Sequence, residues 1–290
     1  MSKKDVVYSY MSYQEDIMTS IVSNSAANQA VFYINQNTTN QNNLLAELSS
    51  GSRVVNAATD PASLAIGTHL QSDIAVLNQA ATNAANAQSV LQTADGGLSQ
   101  VANILQQMKS LAAEAVSGAV DSASVGDIGT AYTQLAAELT QIGTSTSFNG
   151  TQLLDGSFTQ DFLIGTDPTT DKVTVTLSTD VTSLTSISDT ITDSASAETA
   201  MTDIGNDIDT IATARAKVGA YTSQFTYQQS VDSTAATNLT AAKSNMDDAD
   251  VSQVESDYNN ASVLTQAGIA ALTDANQIPQ DLLRLVRGQS

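Results

Sequence analysis

From Leu77 to Ala115 an apolar residue recurs every third or fourth position without a miss. The series is Leu77, Ala80, Ala84, Ala87, Leu91, Ala94, Leu98, Val101, Leu105, Met108, Ala112 and Ala115. Alternating steps of three and four keep these side chains on one face of an α-helix, as the seam along which a second helix packs. The predicted helix, from about Gln71 to Ser117, would be roughly 70 Å long at the usual rise. That is too long for the interior of a compact domain. Half of the seam is Ala, which buries little area per residue, so the partner must approach closely. Gly96 and Gly97 lie inside the helix, cost up to ~1 kcal/mol each relative to Ala, and predict a tight crossing or a bend. Gly118 is the expected stop.

Other segments repeat the pattern. Gly126 to Thr144 carries Ile128, Tyr132, Leu135, Leu139 and Ile142, and its short connection predicts an antiparallel partner for the long helix. The texture changes from Phe148 to about Ser194, which is rich in Thr, Ser, Asp and Gly. Phe158, Phe162 and Ile164 before Asp167-Pro168, and Val173, Val175 and Leu177 after it, predict a β-hairpin or small sheet. Helix resumes near Ala197, with Ile204, Ile208, Ile211 and Val218 on one face. Asp250 to Arg287 is helical again, with a stripe of Val251, Val254, Tyr258, Ala261, Gly268, Leu272, Ala275, Leu282 and Val286 and gaps at Thr265 and Pro279. Arg284 and Arg287 close it, favourable at the negative end of the helix dipole. Ile21 to Leu48 is compatible with helix but rich in Asn and Gln, with weak facing residues such as Ala26, Ala30 and Tyr33. Ordering the backbone costs ~1–2 kcal/mol per residue, so both ends are expected to be loose until they meet partners. The fold class is mainly α, a long antiparallel helical bundle or coiled-coil rod with a small β-hairpin region.

Composition excludes much chemistry. With no Cys there is neither a disulfide nor a thiolate metal site, and a single His, His69, rules out a multi-histidine site. No cofactor is expected. His69 is expected to be structural or solvated, not catalytic. A net charge of −20 argues against binding nucleic acid or an anionic membrane. No stretch approaches the ~18 apolar residues of a membrane span. Met1 to Met18 is broken by Asp5, Glu15 and Asp16 and does not match a secretory signal peptide.

Three blocks carry a family resemblance. Leu48-Ser49-Ser50-Gly51-Ser52-Arg53, followed by Ala57 to Ile66 (AATDPASLAI), resembles the LSSGxR…DD.A..AI signature of bacterial flagellin. Phe148-Asn149-Gly150-Thr151-Gln152-Leu153-Leu154 is similar to the FNGxxLL turn of that family. The stretch NLTAAKSNMDDAD ending at Asp250, then Ala267-Gly268, Ala275 to Gln280 (ANQIPQ) and Leu285-Val286-Arg287, resembles the family's C-terminus. In series they span about Ile21 to Arg287.

The resemblance implies a structural subunit, not an enzyme, that self-assembles into the flagellar filament. Residues 21–57 and 246–290 would be paired terminal helices of the filament core. Residues 58–245 would be a helical rod domain with a β-hairpin at about 148–180, without large outer domains. Polymerisation would bury Tyr33, Leu44 and Leu48 against Val254, Tyr258 and Leu272, with Leu282 and Val286 continuing the stripe. Further implied are extracellular export without a cleaved signal peptide, an export chaperone on about 248–287, a filament cap protein and hook-associated junction proteins. The hook–filament junction protein is the alternative from the same resemblance. Residues 1–20 look like an N-terminal extension. Thr59, Pro61 and Ser63 depart from the signature. In the outer motif read by innate receptors, Gln107 stands for an Arg and Ser110 for a Glu beside Lys109 and Leu111, which implies weak recognition.

The remaining motifs have plainer explanations. Asp247, Asp248 and Asp250 lack the glycine and terminal Glu of a calcium loop and predict a helix cap or acidic turn. Asn149-Gly150 is a turn former. Asp95-Gly96-Gly97 lacks the Lys of a phosphate loop. The glycosylation-like triplets at Asn37, Asn149 and Asn238 are chance matches. A coiled-coil bundle that never polymerises would share the stripes but leave the Asn-rich ends unexplained.

Overall fold

The computed structural model describes residues 24–117, 120–286 and 288; for 282, 285 and 286 it describes the backbone alone. Among them are five α-helices: α1 Ser25–Ser50, α2 Pro61–Val116, α3 Ser122–Ser145, α4 Ser194–Asp247 and α5 Val251–Val286. Four strands, β1 Ser147–Phe148, β2 Thr151–Gln152, β3 Phe158–Leu163 and β4 Lys172–Leu177, lie between α3 and α4. The chain is therefore mainly α. It forms two compact units, a terminal one of residues up to Thr68 and from Lys243, and a middle one of His69–Ala242. Gly118, the expected end of the long helix, and residues 1–20 lie outside the described residues.

The middle unit is organised by the predicted seam. All twelve residues from Leu77 to Ala115 are buried, and α2 passes through Gly96 and Gly97 as regular helix. The two glycines differ. A Cβ on Gly96 would meet nothing, whereas one on Gly97 would sit 2.8 Å from Leu154 Cδ1 and 2.9 Å from Thr146 Oγ1. The tight approach foreseen here is made by the segment after α3. Asp121 starts α3 by accepting from Ser124 N at 2.8 Å. Ile128, Tyr132 and Leu139 are buried on it, while Leu135 and Ile142 are partly so. On α4, Ile204, Ile211 and Val218 are buried and Ile208 is half-buried.

The β region consists of two antiparallel hairpins. Asn149 and Gly150 have φ of 50° and 80°, the left-handed pair that a two-residue hairpin turn requires. They join β1 to β2 and deliver Leu153 and Leu154 into the core. β3 pairs with β4 from Phe158↔Leu177 to Leu163↔Lys172. Alternation puts Val173, Val175 and Leu177 inside, and Phe162 meets the Phe225 ring edge-on at 5.5 Å. Asp167 caps the intervening loop, accepting from Thr169 N at 2.8 Å.

A strap, residues 178–193, returns the chain to α4 through two 3₁₀ turns, Val181–Ser183 and Thr185–Ile187. It lies directly on α3. A Cβ on Gly129 would fall well inside contact distance of the Ile191 carbonyl oxygen, and one on Gly143 would be 2.9 Å from Thr182 Cγ2. Gly126, on the same helix, has nothing within 4 Å of such an atom. Gly129→Ala should therefore destabilise the middle unit by about 1–3 kcal/mol through overpacking. Gly126→Ala should stabilise it by about 0.5–1 kcal/mol. Thermal unfolding of the two variants is expected to shift in opposite directions from the parent.

Candidate functional site: the terminal helix pair

In the terminal unit, α1 and α5 run antiparallel. Asn24 caps α1 by accepting from Ala27 N at 3.0 Å and donates its amide to Ala275 O at 2.7 Å. Ile34 Cγ1 lies 2.8 Å from where a Cβ on Gly268 would be. At the far end Gly51 O accepts from Ala249 N at 3.0 Å. Among the less exposed positions, a 3–4 series on α1 comprises Ala27, Ala30, Ile34, Asn37, Gln41, Leu44 and Leu48. On α5 it comprises Val254, Tyr258, Ala261, Thr265, Gly268, Leu272, Ala275 and Pro279. Of these only Ala27, Val254, Ala261 and Ala275 are buried, and none completely. At about 0.8 kcal/mol per buried methylene-sized group, against ~1–2 kcal/mol per ordered backbone residue, this seam is thin.

Two of the residues expected to face inward on α1 lie off the seam. Tyr33 is 54% exposed, and Ala26 is exposed too. Val31-Phe32-Tyr33-Ile34 are four consecutive apolar residues, and successive helical positions turn by about 100°. Only one of them faces α5, and Gly268 makes room for Ile34. Leu44, Leu48, Tyr258 and Leu272 are half-buried and Val254 is buried, on the expected stripe. Thr265 and Pro279 continue the stripe across its apparent gaps. The side chains of Leu282 and Val286 lie outside the described residues.

At the far end of the pair, the first and third sequence blocks close on each other. Ser52 Oγ donates to Asp247 Oδ1 at 2.8 Å, and Lys243 Nζ to Asp247 Oδ2 at 3.2 Å. Arg53 N donates to Asp247 O at 2.7 Å. The Arg53 guanidinium donates to Met246 O at 3.0 Å and Ser63 Oγ at 3.3 Å, and lies 3.6 Å from Asp60. Asp60 caps α2 by accepting from Ser63 N at 3.0 Å, and Ser63 holds its carboxyl below the ordinary value. Asp250 caps α5 by accepting from Ser252 N and Gln253 N, the cap expected of this acidic run. Gly51 permits the turn, ending α1 at φ 70° with its N–H on Glu47 O. The residues of this clasp were visible in the sequence only as motif letters. Two of its acceptors, Met246 O and Asp247 O, are main-chain carbonyls, which leave no mark in a side-chain pattern.

Around the seam, apolar residues of both helices are left uncovered. Val31, Phe32 and Tyr33 on α1 and Val263, Leu264, Ile269 and Ile278 on α5 are exposed, Phe32 and Val263 at 63% each. Glu47 is the single charged residue of α1, whereas α5 carries Glu255, Asp257, Asp274, Asp281 and Arg284. Elsewhere, Gln107 and Ser110 are exposed, Lys109 and Leu111 are half-buried, and His69 is exposed on α2. Among the described residues no group of three or more acidic or histidine side chains is placed to hold a metal ion. No described helix is long and apolar enough to cross a membrane.

Comparison with known proteins matches residues 21–159 to the bacterial flagellin N-terminal helical region and residues 201–286 to the bacterial flagellin C-terminal helical region. The chain is 31% identical over 258 residues to the flagellar filament 33 kDa core protein of Treponema phagedenis, covering 83% of this chain and 90% of that one. It is 31% identical over 287 residues to flagellin of Bacillus subtilis, covering 87% and 94%. Flagellin of Halalkalibacterium halodurans is 32% identical over 249 residues, covering 83% and 90%. The crystal structure of Bacillus cereus flagellin aligns with 56% of this chain and 94% of its own at a TM-score of 0.49 and 29% identity.

The clasp is a set of hydrogen bonds with one carboxylate at its centre. The bond from Ser52 holds Asp247 below its ordinary value, against an opposing push from burial and with help from Lys243 and Arg53. A lowered folded value means the contribution is complete above the ordinary carboxylate range, near ~4, and is lost as pH falls through the folded value. Arg53→Ala should cost the terminal unit about 1 kcal/mol and leave unfolding of the middle unit unchanged. Hydrogen exchange at the Arg53 and Ala249 amides should rise several-fold. Arg53→Lys should not restore protection, because one ammonium cannot span both Met246 O and Ser63.

Proposed function

This chain belongs to the bacterial flagellin family and is a structural subunit of the flagellar filament, and on that premise we propose which of its surfaces build the filament. Residues 21–57 and 246–290 form the filament core domain, and residues 58–245 form the rod domain. Leu44, Leu48, Val254, Tyr258 and Leu272 pair the terminal helices within one subunit. Tyr33 works outward, with Val31 and Phe32, against neighbouring subunits.

The observation that carries this division is the set of exposed apolar residues on two helices whose own seam is thin. Burying a Val, Leu, Ile or Phe side chain is worth about 1.5–3 kcal/mol. Covering Phe32, Val263, Leu264, Ile269 and Ile278 therefore supplies on the order of 10 kcal/mol per subunit. That is comparable with the cost of immobilising a subunit, about 4–15 kcal/mol. Assembly then becomes favourable once several neighbours share the core. The net charge of −20 opposes this, and salt that screens over ~10 Å relieves it. α1, with Glu47 as its one charge, adds little to the repulsion.

The filament lies outside the cell. Export proceeds without a cleaved signal peptide, and an export chaperone covers about 248–287, where Val263, Leu264, Ile269 and Ile278 would otherwise be bare in the cytoplasm. A cap protein and hook-associated junction proteins complete the set of partners. The altered motif at Gln107, Lys109, Ser110 and Leu111 gives weak innate-receptor recognition.

The test is a surface variant that leaves the seam alone. Phe32→Ser combined with Leu264→Ser should raise the critical concentration for seeded polymerisation by roughly 100-fold or more, the equivalent of about 3 kcal/mol. Melting of the middle unit should be unchanged. Seeded growth of the double variant at the parent's critical concentration would refute the assignment.

A further inference from the structure

The strap carries a buried polar cluster that the filament contacts do not use. Its turn Thr185–Ile187 is gripped from two helices. Tyr132 Oη on α3 donates to Ser186 O at 2.9 Å. Asp207 on α4, only 4% exposed, accepts from Ser186 N at 2.8 Å and from Thr185 N at 3.3 Å. Three residues further on, Asp189 adds another carboxylate. Its Oδ2 is buried without a donor, and the fully buried Ser186 Oγ also has no partner. Asp203 and Asp207 act on Asp189 from α4, and its charge in turn reaches Tyr132 on α3. On the same stretch of α4, Lys109 from α2 reaches Gly205. Asp180, Asp209 and Lys217 line the groove of about 610 Å³ between strap and helix. Among the described residues no Lys or Arg forms an ion pair with Asp189, Asp203 or Asp207.

A half-buried carboxylate with one oxygen shut off from water and without a donor, under the influence of two other acids, is favoured in its neutral form. We propose that Asp189 is a proton-operated latch on the strap. Neutral, it lets the segment 183–189 dock on α3 and α4, and the added proton turns an unpaired acceptor into a donor. Ionised, it is repelled by Asp203 and Asp207, and the segment loosens. Burial first, then the two acids, raise its carboxyl above the ordinary value. Because the folded value lies above the unfolded one, stability is gained as pH falls through the folded value and lost as pH rises through it. This is opposite in sign to the Asp247 clasp. Acid tightens the segment around Asp189 and loosens the clasp around Asp247.

Hydrogen exchange of the full-length monomer, corrected for intrinsic rates, reads the latch at residues 183–189 as pH is raised from the ordinary carboxylate range upward. Protection is expected to fall by up to about tenfold per pH unit above the midpoint. Asp189→Asn should give high protection at every pH. Asp209→Asn, an exposed acid on α4, removes the same charge and should keep the parent's slope. Asp203→Asn spares the latch, removes a repelling charge and should move the midpoint to lower pH, a readout that stands if the Asp189→Asn variant fails to fold. A flat parental profile, a parental slope in Asp189→Asn, or an unmoved midpoint in Asp203→Asn would each overturn the proposal.

Discussion

The contact of Ile34 with Gly268 sets how closely the two end helices lie, and the character of the terminal unit follows from it. A glycine opposite a branched side chain brings two backbones together, but the same economy of side-chain bulk leaves little apolar area to bury. Ala27, Ala261 and Ala275 extend that compromise along the seam, and Asn37, Gln41 and Thr265 fill it with polar groups. The pair is therefore held as much at its ends as along its length. Asn24 bonds to Ala275 O at one end. At the other, Arg53, Ser52 and Asp247 lock the turn after α1 to the turn before α5.

The middle unit solves the same problem with more material. Its Ala-rich seam on α2 alternates with Leu91, Leu98, Leu105 and Met108. Leu153, Leu154, Phe158 and Phe225 add buried bulk, whereas Leu44, Leu48, Tyr258 and Leu272 of the terminal seam are only half-buried. Gly97, Gly129 and Gly143 sit where the hairpin segment and the strap press against helices. A self-sufficient core in one unit and a thin seam in the other is a sensible division in a polymer. One part keeps its shape alone, while the other keeps surface in reserve for neighbours.

Much of this was legible in the sequence because it rests on periodicity. The seam from Leu77 to Ala115, the Asn149-Gly150 turn, the alternation in β4 and the cap at Asp250 are local patterns with local causes. The phase of α1 was not legible. Four successive apolar residues from Val31 to Ile34 fit several faces equally well, and the choice is made by Gly268, at the opposite end of the chain. Thr265 and Pro279 looked like interruptions because hydrophobicity was the guide, whereas the seam also admits polar and ring side chains where the approach is close. The clasp was hidden for a different reason, since Arg53 bonds the main chain at Met246. Asp189 and Asp207 lie in or against a Ser- and Thr-rich strap whose composition suggests solvent, and only the tertiary fold buries Asp207 and one oxygen of Asp189.

The central claim is that the end helices become rigid through their neighbours. Backbone hydrogen exchange of α1 and α5, compared between isolated monomer and assembled filament, tests it most directly. In the monomer these amides should exchange at least about 100-fold faster than those of the α2 seam, as expected for segments with few buried apolar contacts. In the filament the difference should vanish. Equal protection of α1, α5 and α2 in the monomer, unchanged on assembly, would contradict the account.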